Sequence, residues 1–148
     1  MSPKFQTYGW IQDEHGWWFK NKDGSYPKNK WESIDGAWYY FDSSGYAVTG
    51  WREINSKWYY FNSSCKMQTG WICLNGRWFY LNKEDGSMLI NGVHDIDGTN
   101  YYFDKDGVMG KGWIVVDGKW QHYKDDGSRT EKGIVKGDSI YVIKDGAL

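Results

Sequence analysis

The stretch Trp31-Glu-Ser-Ile-Asp-Gly-Ala-Trp-Tyr-Tyr-Phe41 runs on through Gly50 and is followed by a close copy of itself that begins at Trp51. Each copy contains a Trp, a polar turn, Trp-Tyr-Tyr-Phe, a second polar turn and Thr-Gly, and the period is 20 residues. A fixed period of this length is typical of solenoids and other repeat arrays. We therefore interpret the rest of the chain against this unit.

The unit has the pattern of a β-hairpin, because Asp35-Gly36 separates two runs of β-favouring residues. A two-residue turn there pairs Trp31 with Tyr40. Alternation along the strands predicts two aromatic faces, one with Trp31, Trp38 and Tyr40 and the other with Ile34, Tyr39 and Phe41. A lone hairpin is marginally stable, so stacked copies must bury one of these faces, whereas rings on the other could surround a cation.

Seven copies can be aligned along the chain. They begin at Trp10, Trp31, Trp51, Trp71, Val93, Trp113 and Ile134. This predicts an all-β fold, a repeat β-solenoid of about six to seven stacked hairpins over residues 9–148, preceded by an N-terminal tail or cap at residues 1–8. Ser56 replaces the turn glycine of the third copy, which predicts a less well-formed turn there.

The composition supports an aromatic array and argues against several functions. Aromatic residues make up 20% of the chain, with 11 Trp and 12 Tyr, so ring stacking must supply most of the buried surface. The formal net charge of −1 disfavours nucleic-acid binding, which normally needs a positive groove. No segment approaches the ~18 apolar residues needed for a membrane span, and no signal peptide pattern opens the chain, as expected for a mature form or an excised module.

The sequence contains no recognisable set of catalytic or metal-binding residues. The histidines His15, His94 and His122 are widely separated, and the carboxylates recur in turns, where they act as solvent-facing turn formers. We therefore expect no catalytic residue, no metal site and no cofactor. Cys65 and Cys73 could form a disulfide, but spacing alone does not establish one, and free thiols are our expectation.

The unit G-W-x6-W-Y-Y-F-x3-G-x-M-x-T-G-W, seen from Gly50-Trp51 to Gly70-Trp71, resembles the cell-wall-binding repeat of the choline-binding proteins of streptococci and their phages. The resemblance covers residues 9 to about 133. It implies a left-handed solenoid whose junctions bind choline with two Trp of one repeat and a Tyr of the next.

Carried over by position, the resemblance implies four choline-binding groups. They are Trp10, Trp17 and Tyr40; Trp31, Trp38 and Tyr60; Trp51, Trp58 and Tyr80; and Trp71, Trp78 and Tyr102. Met67 and Met88 lie at matching loop positions, where a thioether would either line such a pocket or only fill a gap between hairpins.

The last junctions depart from the pattern. The fifth offers Val93, Asn100 and His122 and should not bind, and the sixth offers Trp113 and Trp120 with only Ile143 as a third wall, which leaves binding and packing open. The family's arrays often end in atypical repeats that mediate dimerisation. The apolar residues near the C-terminus fit either a homodimer surface or a capping edge; they are Ile134, Ile140, Val142 and Ile143.

The resemblance implies a binding module that attaches to choline or phosphocholine on teichoic or lipoteichoic acid, outside a Gram-positive cell. A single cage should bind in the millimolar range, and several cages on one polymer should raise avidity by roughly 10²–10⁴. Two alternatives stay open. Similar aromatic repeats bind glucans or other carbohydrate receptors, and the chain could be the anchoring part of a peptidoglycan hydrolase.

Overall fold

The computed structural model describes residues 8–137 and 139–148, and in this part of the chain the fold is all-β. Fourteen described strands pair into seven separate antiparallel hairpins, as the period predicted. The strands are β1 (Gly9–Asp13), β2 (Gly16–Lys20), β3 (Lys30–Ile34), β4 (Ala37–Phe41), β5 (Gly50–Ile54), β6 (Lys57–Phe61), β7 (Gly70–Leu74), β8 (Arg77–Leu81), β9 (Gly92–Ile96), β10 (Thr99–Phe103), β11 (Gly112–Val116), β12 (Lys119–Tyr123), β13 (Gly133–Lys136) and β14 (Ile140–Ile143).

The hairpins belong to two compact units. The first contains the described residues up to Gln68 together with Asp85–Ser87, and the second contains Thr69–Glu84 and Met88–Leu148. Most of the predicted tail or cap, residues 1–7, lies outside the described residues. The predicted left-handed course of the array stays a prediction.

The second hairpin has the predicted turn and register. Asp35 and Gly36 both have positive φ, 50° and 80°, as a type I′ turn requires. Trp31 pairs with Tyr40. The Asp-Gly turn alone was therefore enough to predict which side chains share a face in this hairpin.

The prediction of a poorly formed turn at Ser56 was wrong. Asn55 and Ser56 adopt the same left-handed conformation, with φ of 52° and 67°, and Ile54 still pairs with Lys57. Asn tolerates this conformation better than other non-glycine residues, and the fully paired strands on either side hold the serine in it.

The seventh hairpin is one residue shorter than the others, which corrects its predicted alignment. Ile134 pairs with Val142, and Val135 pairs with Tyr141. Ile140, Tyr141, Val142 and Ile143 therefore occupy the places that Trp, Tyr, Tyr and Phe hold in the second hairpin. Ile143 lies in the core with 2% exposure, so it is not part of the apolar surface that the sequence suggested.

Successive hairpins within each unit pack opposite faces together. The ring of Trp31 lies 4.9 Å from that of Tyr59 and 5.6 Å from that of Phe61. The ring of Trp71 has the same relation to Tyr101 and Phe103, at 4.8 Å and 5.8 Å. The face of one hairpin that contains its leading Trp therefore packs against the opposite face, and the end of the second strand, of the next hairpin in the same unit.

The largest fully buried side chains each stand at the end of a hairpin's second strand. They are Phe41, Phe61, Leu81, Phe103, Tyr123 and Ile143. Each comes from a different hairpin, from the second to the seventh. Apolar burial is therefore distributed along the chain rather than gathered in one centre, as expected for a repeat protein.

A methionine in one connecting loop packs against a glycine in the next. Met67 meets Gly86, and Met109 meets Gly127, so closely that a Cβ on either glycine would collide with the thioether. Cys65 stands at the equivalent glycine position, with a φ of 67°. Ala47 replaces the methionine beside it in the same core cluster, which leaves room for the cysteine side chain.

This pairing predicts a specific coupling between two substitutions. Ala47→Met alone should overpack the site and lower the free energy of unfolding by about 1–3 kcal/mol. Cys65→Gly should remove the collision, so the double variant should recover most of the loss and show a coupling of about 1 kcal/mol. Urea denaturation of the four proteins tests this, and strictly additive effects would contradict it.

Cys65 and Cys73 are free thiols, as expected, with Cys65 buried and Cys73 exposed. Burial raises the pKa of the Cys65 thiol, which keeps it protonated and unreactive near neutral pH. In the described part of the chain no helix has the length and apolarity that crossing a membrane requires.

Candidate functional site

Four groups of aromatic rings lie where one hairpin meets the next within a unit. Each combines two Trp of one hairpin with a Tyr of the following hairpin, and each is numbered here by the hairpin that supplies the Trp pair. The first group is Trp10, Trp17 and Tyr39; the second is Trp31, Trp38 and Tyr59; the fourth is Trp71, Trp78 and Tyr101; and the sixth is Trp113, Trp120 and Tyr141.

The geometry of the four groups is nearly constant. The leading Trp lies 4.7 Å from Tyr39 in the first group, 4.9 Å from Tyr59 in the second, 4.8 Å from Tyr101 in the fourth and 5.0 Å from Tyr141 in the sixth. The two Trp rings stand almost perpendicular, at 83°, 80° and 79° in the first, second and fourth groups. Three π faces thus meet around a common space.

The second Trp of each pair is exposed. Exposure is 39% for Trp17, 48% for Trp38, 40% for Trp58, 40% for Trp78 and 50% for Trp120. Burial accounts for the leading Trp, which packs on the next hairpin, but it does not account for a row of half-exposed indoles. An exposed large apolar side chain at a repeated position indicates a binding surface.

Three of the groups enclose half-open cavities. The cavity at the first group has a volume of about 300 Å³, that at the fourth about 420 Å³ and that at the sixth about 270 Å³. These volumes suit a small ligand rather than a polymer segment. A compact cation in such a cavity would contact ring faces on three sides.

The third ring is one residue earlier than the sequence predicted in the first, second and fourth groups, and two residues earlier in the sixth. Trp10 contacts Tyr39 and not the predicted Tyr40, whose ring lies 5.4 Å from Trp31 of its own hairpin. Tyr40 shares the face of its own Trp pair, whereas the preceding hairpin meets the opposite face. A neighbouring ring must therefore come from the Tyr39 side.

The other predicted tyrosines follow the same rule. Tyr60 and Tyr80 lie beside the leading Trp of their own hairpins, 5.1 Å from Trp51 and 5.1 Å from Trp71. Tyr102 lies 6.1 Å from Tyr123. Trp51 and Trp58 belong to the first unit and Tyr80 to the second, so a group built on that Trp pair stays a prediction.

In each group one residue outside the strands, at what we call the floor position, donates its backbone N–H to the carbonyl of the exposed Trp. The N–H of Met67 donates to the carbonyl of Trp38 at 2.9 Å, and the N–H of Met109 donates to that of Trp78 at 2.8 Å. Met67 packs in the core cluster that contains Trp31 and Tyr59, and Met109 lines the fourth cavity. Met88, also predicted for a site, lies against Gly107 in the second unit.

The sixth group is complete, although the sequence left it open. Tyr141 supplies the ring for which the alignment had offered only Ile143, and Leu148 occupies the floor position, with its N–H 2.9 Å from the carbonyl of Trp120. The signal that was missed is the match of Ile140-Tyr-Val-Ile143 to Trp-Tyr-Tyr-Phe, which only a one-residue shortening of the hairpin reveals.

The fifth junction contains a polar network instead of a ring cage. Arg129 occupies the floor position, with its N–H 2.9 Å from the carbonyl of Asn100. Its guanidinium binds Glu131 at 2.8 Å, and the Asn100 side-chain amide donates to the same carboxylate at 3.2 Å. The ion pair lowers the pKa of Glu131, so this junction contains its own cation and counter-charge.

The rims of the cavities differ in charge. Ser63 and Ser64 line the first cavity, whereas Asp125 and Asp126 line the fourth. Hydrogen bonds from the hydroxyl and then the N–H of Ser128, at 2.6 Å and 2.9 Å, lower the pKa of Asp126 and hold its carboxylate ionised. No three His, Cys, Asp or Glu side chains of the described residues are placed to hold a metal ion.

The tandem hairpins and the repeated ring groups define a class of protein, an all-β array of hairpins with small aromatic cavities where one hairpin meets the next within a unit. A family model described as the choline-binding repeat matches residues 28–52, 48–92 and 90–133, which cover more than half of the chain. The chain therefore belongs to the choline-binding repeat family, as its sequence motif indicated.

Solved structures and a curated protein agree with this assignment. Choline binding protein F from Streptococcus pneumoniae is 34% identical, with a TM-score of 0.86 over 95% of this chain and 47% of that one. The cell wall endolysin from phage Cp-1, solved in complex with choline, is 34% identical, with a TM-score of 0.58 over 97% of this chain and 44% of that one. The lysozyme of Streptococcus phage Cp-1 is 57% identical over 28 residues, which are 19% of this chain and 8% of the enzyme.

The chain thus spans about half the length of choline binding protein F, at 47%, and a smaller share of the phage proteins.

Proposed function

We propose that this chain binds choline and phosphocholine in its aromatic groups and so attaches to choline-bearing teichoic or lipoteichoic acid on the surface of a Gram-positive bacterium. The observation that supports this best is that half-exposed Trp rings such as Trp38 and Trp78 stand almost perpendicular to a partly buried Trp, and that this second Trp lies against a Tyr of the next hairpin. The choline complex of the related phage endolysin supports the choice of ligand.

The chemistry of the ligand fits these groups. A trimethylammonium group has no N–H to donate, so polar sites recognise it poorly, whereas the negative faces of aromatic rings attract it. Each ring contact contributes about 0.5–2 kcal/mol, so one group should bind choline in the millimolar range. Firm attachment then depends on several groups engaging one polymer.

The sixth group is part of this proposal, and the fifth junction is not. Trp113, Trp120 and Tyr141 repeat the geometry of the other groups, with Leu148 in place of methionine. At the fifth junction Arg129 occupies the floor position and is already paired. An internal cation there leaves no place for a second one.

A titration with choline chloride tests the proposal, with sodium chloride at equal ionic strength as the control. We expect a saturable millimolar change in Trp fluorescence and near-UV circular dichroism that sodium chloride does not produce. Dextran and other glucans should produce no change. A response to glucans and none to choline would refute the proposal and favour the carbohydrate-binding alternative.

The similarity to phage lysozyme and endolysin favours a second role, in which the module anchors a peptidoglycan hydrolase. That role predicts that the isolated chain binds choline-containing cell walls but does not solubilise them. Release of labelled peptidoglycan from such walls measures the second property.

We also propose that the exposed apolar face of the last hairpin is a homodimer surface rather than a capping edge. Exposure reaches 63% for Ile134, 68% for Ile140 and 65% for Val142. These residues replace the two Trp and the Tyr of the other hairpins, so this face has no rings to hold a cation. Sedimentation of the native chain and of Ile140→Lys tests whether two copies associate through it.

A further inference from the structure

The aromatic groups share their rings but differ at their rims, and the rim is where the rest of a choline-bearing ligand must lie. Choline itself ends in a neutral hydroxyl. Phosphocholine has a negatively charged phosphate two carbons from the nitrogen. A cavity that holds the trimethylammonium among its rings therefore places that phosphate near the rim.

The rim of the fourth group is acidic. Asp125 and Asp126 line its cavity together with Trp71 and Trp78. Neither carboxylate forms an ion pair within residues 8–137 and 139–148. Ser128 holds the carboxylate of Asp126 through two hydrogen bonds, which fixes the position of the negative charge.

The rim of the first group is neutral. Ser63, Ser64 and Cys65 line its cavity at the corresponding place in the loop. The loop is shaped by the Asn62 side chain, whose oxygen accepts from the N–H of Ser64 at 2.9 Å. Serine hydroxyls at such a rim can donate to a phosphate oxygen, whereas aspartates can only repel it.

At a third rim, the negative charge of an acidic loop is balanced by a lysine. Asp85 lies in the corresponding loop beside the second group, and Lys57 approaches its carboxylate to 3.7 Å. The partial burial of Asp85 acts to raise its pKa, but hydrogen bonds from Ser87 and the charge of Lys57 outweigh this and lower it. Within the described residues Asp125 and Asp126 have no such ion pair, although the charge of Lys124 also acts to lower the pKa of Asp126. Two carboxylates without a direct cationic partner therefore distinguish the fourth group.

We propose that Asp125 and Asp126 make the fourth group select quaternary ammonium ligands that lack a nearby negative charge, whereas the serine rim of the first group also accepts phosphocholine. This inference rests on the proposed function, because it assumes that the rings bind the trimethylammonium group. Repulsion between the phosphate and two carboxylates should raise the ratio of the phosphocholine Kd to the choline Kd by about fivefold over that of the first group.

The test uses the whole ¹⁵N-labelled chain and reads the indole N–H signals of Trp17 and Trp78, assigned by Trp→Phe substitution. Separate titrations with choline and phosphocholine at matched ionic strength give a Kd ratio for each group. We expect the larger ratio at Trp78. Added sodium chloride should shrink the difference, because these charges are exposed.

Two variants exchange the rims. Asp125→Asn with Asp126→Asn keeps the oxygen that accepts from Ser128, and it should lower the ratio at Trp78 to that at Trp17. Ser63→Asp with Ser64→Asp should raise the ratio at Trp17 and leave Trp78 unchanged. Each variant has the other group as an internal control for folding.

The outcomes separate this inference from the proposed function. Equal ratios at Trp17 and Trp78 in the native chain, or ratios that the variants do not move, would overturn the rim proposal while choline binding stands. A chain in which choline shifts neither indole signal would overturn the proposed function itself, and the rim proposal with it.

Discussion

Replacing Trp78 by leucine should weaken choline binding at the fourth aromatic group by about tenfold while the chain stays folded. Leucine keeps apolar bulk at the edge of the cavity but removes one of its three π faces. Trp78 is 40% exposed and packs edge-on against Trp71 at 6.3 Å, so its loss opens no core cavity. The indole N–H of Trp71, which remains in the group, reports the affinity by NMR.

Trp38→Leu is the matched control for this prediction. It makes the same chemical change in the second group, where Trp38 is also exposed, at 48%. It should weaken choline binding reported by Trp31 and leave the response of Trp71 unchanged. An unaltered affinity at Trp71 in the Trp78→Leu variant would show that the exposed indole does not contact the ligand.

Trp71→Leu separates binding from packing. Trp71 contacts Tyr80, Tyr101 and Phe103, so its replacement should also lower the free energy of unfolding. The leading and second Trp of one hairpin thus differ in role. The first builds the junction, and the second completes the surface on which a cation can bind.

The regular features of this fold could be predicted from sequence because they are local. The Asp35-Gly36 turn sets the pairing of Trp31 with Tyr40, and alternation then separates the two faces. The number of hairpins follows from the period. None of these steps requires knowledge of how one hairpin lies against another.

The relation between hairpins was not predictable in the same way. The family resemblance, carried over by position, implied that Tyr40 lies beside the rings of the preceding hairpin. The stacking brings Tyr39 there instead, since consecutive units meet by opposite faces. A shift of one residue along a strand exchanges faces, so the third ring changed in the same way in the first, second and fourth groups.

Some residues that depart from the repeat pattern could not be interpreted from sequence, because each is accommodated by a second change elsewhere in the chain. Cys65 tolerates a left-handed conformation beside Ala47, 18 residues earlier, because the usual methionine is absent. Tyr141 completes the sixth group because its hairpin is shortened by one residue. In a position-by-position alignment each of these residues is only a mismatch, whereas in the structure a second change accommodates it.

The tyrosine pair Tyr101 and Tyr102 offers the sharpest test of which face binds. Tyr101→Leu should weaken choline binding at the fourth group by about tenfold, because its ring faces Trp71 at 4.8 Å. Tyr102→Leu should change that affinity by less than about twofold, since its side chain lies on the other face, near Tyr123. The indole signals of Trp71 and Trp78 report both variants.

The two substitutions are chemically identical and adjacent in sequence, so they differ only in the direction of the side chain. Thermal unfolding followed by near-UV circular dichroism establishes a temperature at which both variants are folded, and the titrations are made there. Weaker binding in Tyr102→Leu with none in Tyr101→Leu would restore the assignment made from the repeat pattern. The expected result would instead show that the fourth group takes its third ring from the face of β10 opposite to the one that Tyr102 occupies, because successive hairpins of a unit meet by opposite faces.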